Sequence, residues 1–548
     1  MSTHEASDQK VESVPVSLLP TTVHDTYIED DCEKKQEVTE VTEEKKSLYQ
    51  RCRIYIHIAA VLLYTGYMIA AWILHGKKTL VASLLWAFVC LKIMFYHVPT
   101  SIVAKPLGWF FSQLISFAMR FSSRVRWIVS VVFTVGLIVG VTLGLPVHEG
   151  QGTLVDRVRS LAGLFVFVLV LFATSTDRKR IRWATVLSGL LIQYLLGLFI
   201  LKTSVGYDIF HWISHMCTTL LEFSNTGFAF IVGDKVAAMG TFATGVLPAV
   251  LFFAAIVKVV YFFGGMQWMV KKIAWLMSTV AAASPFVGMG ESSLLVLPFL
   301  ETMTKSEIHS TMTSGFATIS GSVLVGFISM GVNPQPLVTS CVMSVPCGML
   351  ISKMRYPETG EPVTKGKVRI PPAPEEECNF LHAAANGAAQ GIHLVLLIAA
   401  TVLAFMSLLA LVNAFLTWFG NFINIDNLTL QLVMGYIYVP FIWFVGVAQK
   451  DVLTVSRLMA TKTFVNEFVA FGELTTPAVA DALTARSKHL AVYCLCGFAN
   501  FGSIGIQIGS LGSMAPSRKQ DLAELSFSAM LCGTMSTLMS ANIAGLLM

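Results

Sequence analysis

The sequence predicts an all-α polytopic membrane protein, and three observations carry that expectation. Hydrophobic residues fill 55% of the 548 positions, charged residues only 13%, and the mean hydropathy is +0.68. An average soluble domain carries about 25% charged residues, so most of this surface must face lipid. Many apolar runs also approach the roughly 20 residues that a helix needs to cross a bilayer core. Two further apolar stretches are interrupted by Gly, Pro and charge, which at membrane depth is tolerated only where backbone lines a cavity or packs inside protein. The expected fold is eleven transmembrane helices, two re-entrant helical hairpins and interfacial helices.

Residues 1–50 hold twelve Asp/Glu against five Lys/Arg, few apolar residues and no period. They read as a disordered acidic tail. The tail lacks the basic start and apolar stretch of a secretory signal, so the first span is expected to direct insertion. A three-helix region, 51–150, follows with spans at 54–75, 79–97 and 127–146. Between them, 104–126 sets Trp109, Phe110, Phe111, Phe117 and Phe121 among Lys105, Arg120, Arg124 and Arg126. That pattern predicts a helix lying in the interface. The core, 151–548, carries spans at 160–176, 184–201, 241–264, 310–331, 335–352, 393–417, 489–511 and 522–547. Residues 207–233 are too polar to span and are expected at the interface.

The interrupted stretches are 265–305, broken by Ser284, Pro285, Gly288, Gly290 and Glu291, and 430–488, broken by Pro440, Lys450, Asp451, Arg457, Lys462, Glu467 and Glu473. Paired broken segments in the two halves of a carrier point to its binding site. With the tail in the cytosol, eleven spans put Arg178–Arg182, Lys271-Lys272, Lys353–Arg355 and Arg518-Lys519 all inside, as the positive-inside rule requires, and the C-terminus outside. Cys494 and Cys496 form a CxC pair inside an apolar run, where small packing residues are expected. The chain has no P-loop, no HExxH and no GxSxG. No hydrolase or ATP-driven pump is expected, and no cofactor, metal or nucleic-acid partner.

Three clusters can carry chemistry. Val287-Gly288-Met289-Gly290-Glu291 places a carboxylate at a helix break, where it can accept hydrogen bonds or carry a proton; the competing reading is a surface loop. Asn466-Glu467 sits between bulky apolar residues, and a carboxylate can accept two hydroxyl hydrogens of a vicinal diol. The alternative there is an internal salt bridge to Lys462 or Arg457. In Gly497-Phe498-Ala499-Asn500-Phe501-Gly502-Ser503, the glycines suggest a broken helix with Asn500 and Ser503 on one face and Phe498 offering an aromatic face to a base. Close helix packing through small residues is the alternative. Such groups suit a solute with one flat and one polyhydroxyl face, a nucleoside among others.

From about residue 155 onward the sequence resembles the concentrative nucleoside transporter family. The matching motifs include Thr304-Lys305-Ser306-Glu307-Ile308-His309, Ala317-Thr318-Ile319-Ser320-Gly321-Ser322-Val323, Tyr356-Pro357-Glu358-Thr359, Lys462-Thr463-Phe464-Val465-Asn466-Glu467-Phe468, Gly497-Phe498-Ala499-Asn500 and Met514-Ala515-Pro516-Ser517-Arg518-Lys519. The resemblance implies a homotrimer in which hairpins and broken helices form a body that moves as an elevator against a scaffold. It also implies that Glu467, Asn500 and Ser503 take the ribose, and that Phe498 and Val323 stand beside the base. Met289, Gly290 and Glu291 fall at base-contact positions of the first hairpin, and Ser284, Val287, Thr318 and Ile319 at cation positions.

Two departures from the family pattern sharpen the expectation. Met289 and Gly290 replace the usual Gln and Thr, and a thioether cannot donate to a pyrimidine carbonyl. Purine nucleosides and uridine are therefore expected as substrates, cytidine and thymidine as poor ones. Ser284 replaces an Asn whose amide oxygen serves sodium in relatives, and a hard cation needs several oxygens. The expectation is a proton-driven plasma-membrane nucleoside symporter with Glu291 as proton carrier; the alternative is sodium drive. A polytopic membrane enzyme and a non-transporting nucleoside receptor are the competitors from other classes. The stretch from Trp275 to Ser284 is also shorter than its family counterpart.

Overall fold

The computed structural model describes residues 57–74, 122–146, 152–237, 242–264, 303–360, 378–425 and 428–548, with Tyr55, Leu300 and isolated positions between 83 and 93. The acidic tail, most of 79–97 and 104–126, and nearly all of the expected first hairpin lie outside these residues. Two compact units divide the chain, Met1–Ser122 and Ser123–Met548. In the first, helix α1 (His57–Leu74) is apolar enough to span. Trp72 Nε1 donates to Ser83 Oγ at 2.6 Å and Trp86 Nε1 to Thr65 Oγ1 at 2.9 Å. These indole bonds tie α1 to the segment expected as the second span.

The second unit is helical throughout its described residues: α2 (Ser123–Gly144), α3 (Leu154–Ala173), α4 (Trp183–Lys202), α5 (Ser204–Val232), α6 (Phe242–Phe262), α7 (Lys305–Ala317), α8 (Gly321–Ser329), α9 (Pro334–Arg355), α10 (Phe380–Phe422), α11 (Leu430–Val445), α12 (Val452–Phe464), α13 (Glu467–Thr475), α14 (Ala485–Leu495), α15 (Phe501–Met514) and α16 (Lys519–Leu547). Local sequence sets several starts. Thr153 and Asp156 bond each other's backbone N–H groups at the head of α3, and Thr304 and Glu307 do so at α7. This reciprocal box satisfies two donors that a helix N-terminus otherwise leaves open. Asn333 caps α9, and Pro334 takes the first helical position, where no N–H is needed.

Helix α16 is the axis of the core. It packs on α3, α7, α9, α14 and α15, and nearly every residue from Met530 to Leu547 is buried. Such a helix must be small-sided to let neighbours approach, and Gly533, Ser536, Ser540, Ala541, Ala544 and Gly545 make it so. The 43-residue α10 runs along α6, which also packs on α8.

Each end of the core is closed by a polar network. At one end, Thr176 N donates to Arg355 O, Arg180 Nη1 to Thr359 O, Lys353 Nζ to Glu358 Oε2 (3.0 Å) and Ser306 Oγ (2.9 Å), and Arg518 Nη2 to Met303 O. Burial pushes the Glu358 carboxyl up, but the Lys353 ammonium beside it wins and holds it below the usual carboxylate range. Two of the four basic loops expected on one side are therefore in direct contact, and a third, Arg518-Lys519, joins them through the 303–306 segment; Lys271-Lys272 lies outside the described residues. At the other end the fully buried Arg157 donates to the carbonyls of Leu145, Pro146 and Met548.

Three expectations need correction. The span 310–331 is not continuous but breaks at 318–320, between α7 and α8. Span 393–417 is the middle of a helix that starts at Phe380. The stretch 430–488 is not two limbs: it opens with α11 packed on α12, and the chain then breaks again at 465–466.

Candidate functional site

Three helix breaks converge inside the core: 318–320 between α7 and α8, 465–466 between α12 and α13, and 496–500 between α14 and α15. Each restarts on a side-chain cap. Ser320 Oγ accepts from Val323 N at 3.3 Å, Asn466 Oδ1 from Val469 N at 3.0 Å, and Asn500 Oδ1 from Ser503 N at 2.8 Å. Ser and Asn suit this position because a short side-chain oxygen replaces the missing backbone acceptor.

The second and third breaks are locked together. Asn500 Nδ2 donates to Glu467 Oε2 at 2.7 Å, with both residues buried. Lys462, wholly buried, donates from Nζ to Cys494 O at 3.0 Å and Cys496 O at 3.4 Å, the carbonyls that α14 leaves open at its end. The first break joins them through Gly497. A Cβ there would stand 2.8 Å from Phe316 O and 3.1 Å from Ala317 O, the last residues of α7, and its φ is +110°. Phe327 of α8 packs its ring against Phe468 and Phe471 of α13, with centroids 4.8 and 4.6 Å apart.

Glycine is therefore required at 497 by both backbone and contact. Gly497→Ala is expected to cost on the order of 1–3 kcal/mol in backbone strain, with steric cost added. A lowered melting midpoint of the detergent-solubilised protein and lost surface expression would show it.

Of the sequence-predicted residues, Glu467, Asn500 and Ser503 come together: Ser503 is buried one turn into α15 on the face of its cap. Phe498 is half-buried within the 496–500 break, and Val323 is buried in the first turn of α8. Thr318 and Ile319 occupy the 318–320 link, where Thr318 Oγ1 donates to Ser314 O at 2.9 Å. A hydroxyl that donates its proton this way can still offer lone pairs to a cation. Ser284, Val287, Met289, Gly290 and Glu291 lie outside the described residues. Among the described residues no ion pair joins Glu467 to Lys462 or Arg457.

Two residues were missed as functional positions. Lys462 stands amid Met459-Ala460-Thr461 and Thr463-Phe464-Val465, where an ionisable side chain is the signal of a built site and not only of a salt bridge. Gln507, seven residues after Asn500, is buried and donates to Met312 O at 3.1 Å, tying α15 to α7. Cys494 and Cys496 are buried, with Cys496 Sγ 3.5 Å from Cys341 Sγ, in keeping with packing.

The arrangement is an interior polar site at helix breaks: a carboxylate, an amide, a hydroxyl and an aromatic edge. Comparison with known proteins shows the family. Two family models match, Na+ dependent nucleoside transporter N-terminus over residues 162–235 and C-terminus over residues 336–545. Sodium/nucleoside cotransporter 1 of Oryctolagus cuniculus is 36% identical over 510 residues, covering 89% of this chain and 76% of the relative. Solute carrier family 28 member 3 of Mus musculus is 40% identical over 447 residues, covering 77% of this chain but 63% of the relative, under two thirds of that length. The solved structure of CNTnw in an inward-facing substrate-bound state superposes with a TM-score of 0.67 at 34% identity, covering 72% of this chain and 98% of that one.

These matches remove the membrane-enzyme reading. They do not support the expectation of proton drive: the family models and the rabbit relative are named for sodium. The chain belongs to the concentrative nucleoside transporter family.

Proposed function

We propose that this protein is a secondary active symporter that imports nucleosides across the plasma membrane, driven by sodium. The observation that carries the reading is the buried Asn500–Glu467 bond of 2.7 Å, which joins two helix breaks through groups able to read a ribose. Glu467, Asn500 and Ser503 take the sugar hydroxyls, and Phe498 and Val323 flank the base. Sodium drive draws support from the relatives' names and from Thr318 and Ile319 in an open link of chain, where backbone carbonyls are released from helical pairing. Ser284 is the one observation favouring protons instead, with Glu291 as carrier.

The α6–α10 pair suits a scaffold, and the bundle around α16 suits the moving body of an elevator. The outer residues Leu396, Leu403, Leu411, Phe415, Trp418 and Phe422 of α10 are exposed in the single chain and fit a homotrimer contact. The end carrying the basic loops faces the cytosol, as does the acidic tail, and the C-terminus faces outside.

Uptake of radiolabelled adenosine into nucleoside-import-deficient cells tests this. It is expected to collapse when choline replaces sodium and to be indifferent to an acid-outside gradient. Uptake in choline that rises with external acidity would assign the proton instead. Inosine and uridine are expected to compete with adenosine, and cytidine and thymidine to compete poorly, because Met289 and Gly290 supply no side-chain donor to the base. Equal transport of all pyrimidine nucleosides would overturn that selectivity.

A further inference from the structure

Away from the helix breaks, a cavity of about 260 Å³ lies between α2, α3 and α4. Its wall is apolar, formed by residues such as Val131, Ile138, Leu164, Val168, Leu187 and Leu190. The Tyr194 hydroxyl ties α4 to α2 by donating to Ile138 O at 3.4 Å.

The other end of the cavity has a different chemistry. Trp127 and Trp183, each in the first turns of its helix, line it and remain more than a third exposed. The Phe172 ring lies 5.7 Å from Trp183, and the Arg178 guanidinium sits 5.9 Å over Phe172. Next to the two tryptophans in sequence stand Arg124, Arg126 and Arg182; Arg124 and Arg182 are exposed. The nearby acid, Asp177, is engaged: it accepts from Lys179 N at 3.1 Å and pairs with Arg180 at 3.4 Å. The same end carries the contacts of Thr176 and Arg180 with the 355–359 loop, so it belongs to the basic, cytosol-facing side.

An apolar slot, a tryptophan rim and guanidinium groups flanking the starts of two helices match the three parts of a lipid: acyl chain, interface and phosphate. Guanidinium binds phosphate oxygens in pairs. Indoles settle at the headgroup boundary, and anionic lipids are concentrated in the cytoplasmic leaflet. We propose that the α2–α3–α4 groove binds one anionic phospholipid of that leaflet, with an acyl chain along the slot and the headgroup phosphate on Arg124, Arg126 and Arg182. The site is independent of the nucleoside reading.

Native mass spectrometry of the purified full chain, given equal amounts of phosphatidylserine and phosphatidylcholine with identical acyl chains, tests it. One phosphatidylserine per chain should be retained, about fivefold over phosphatidylcholine. Arg124→Gln, Arg126→Gln and Arg182→Gln together should bring the ratio to one, and Arg182→Gln alone, at an exposed site, should lower it if the triple variant misfolds. Val131→Trp should fill the slot and reduce retention of both lipids. Equal retention by the unaltered protein, or a preference that survives loss of the arginines, would overturn the proposal. So would displacement by glycerophosphoserine, which has the headgroup without the chains, at the same concentration as the lipid.

Discussion

Replacing Glu467 by Gln is expected to raise the half-saturation concentration for adenosine about a hundredfold in a chain that still folds. Glu467 lies at the first position of α13, buried, with one carboxylate oxygen taken by Asn500 Nδ2 at 2.7 Å. A ribose offers two neighbouring hydroxyls, both donors, to a group that as a carboxylate only accepts. Hydrogen bonds to a charged acceptor are worth about 1.5–3 kcal/mol, against about 1 for neutral pairs. Losing the charge under two such bonds removes roughly 3 kcal/mol, and each 1.4 kcal/mol is a factor of ten. Glutamine keeps the shape and one acceptor, so the cap on α13 and the bond to Asn500 can persist. Adenosine uptake across a concentration series gives the constant, and 3′-deoxyadenosine sharpens the test. The variant should discriminate less between the two, having lost the diol reader. Unchanged half-saturation for adenosine would remove Glu467 from the ribose site.

The core of this site was legible because polar residues stand out in apolar sequence. Asn466-Glu467 and the Gly497–Gly505 run announce their breaks by composition, and the structure brings Glu467, Asn500 and Ser503 together. The break at 318–320 was not legible. Val323 to Ile328 sustains the hydropathy of a span, and no Pro or charge marks the link; only the Ser320-Gly321 step hints at a cap. The early start of α10 was hidden for the opposite reason. Residues 382–393 contain His382, Asn386, Gln390 and His393, too polar for a hydropathy window, yet their many alanines favour helix. The coupling ion is not legible in the sequence, because a missing side-chain ligand such as that at Ser284 is visible there and backbone carbonyls able to hold a cation are not.

Lys462 is where sequence reasoning undervalued a residue, and its removal is the second large effect. Lys462→Met leaves the Cys494 and Cys496 carbonyls without their donor and takes the positive charge from the neighbourhood of the buried Glu467. Breaking one side of a buried charge arrangement costs on the order of 3–5 kcal/mol, largely because the other charge is left uncompensated. The melting midpoint of the solubilised Lys462→Met protein should therefore fall further than that of Glu467→Gln. Adding Glu467→Gln to Lys462→Met should then recover part of the loss, since the orphaned anion is gone. Residues coupled this way show interaction energies of about 0.5–3 kcal/mol in a double-mutant cycle. A purely packing role for the lysine stem predicts additive losses instead, because methionine fills nearly the same volume. Additive midpoints would mean that Lys462 only closes the end of α14. A recovery would mean that Lys462 serves as counter-charge to Glu467 across the 465–466 break.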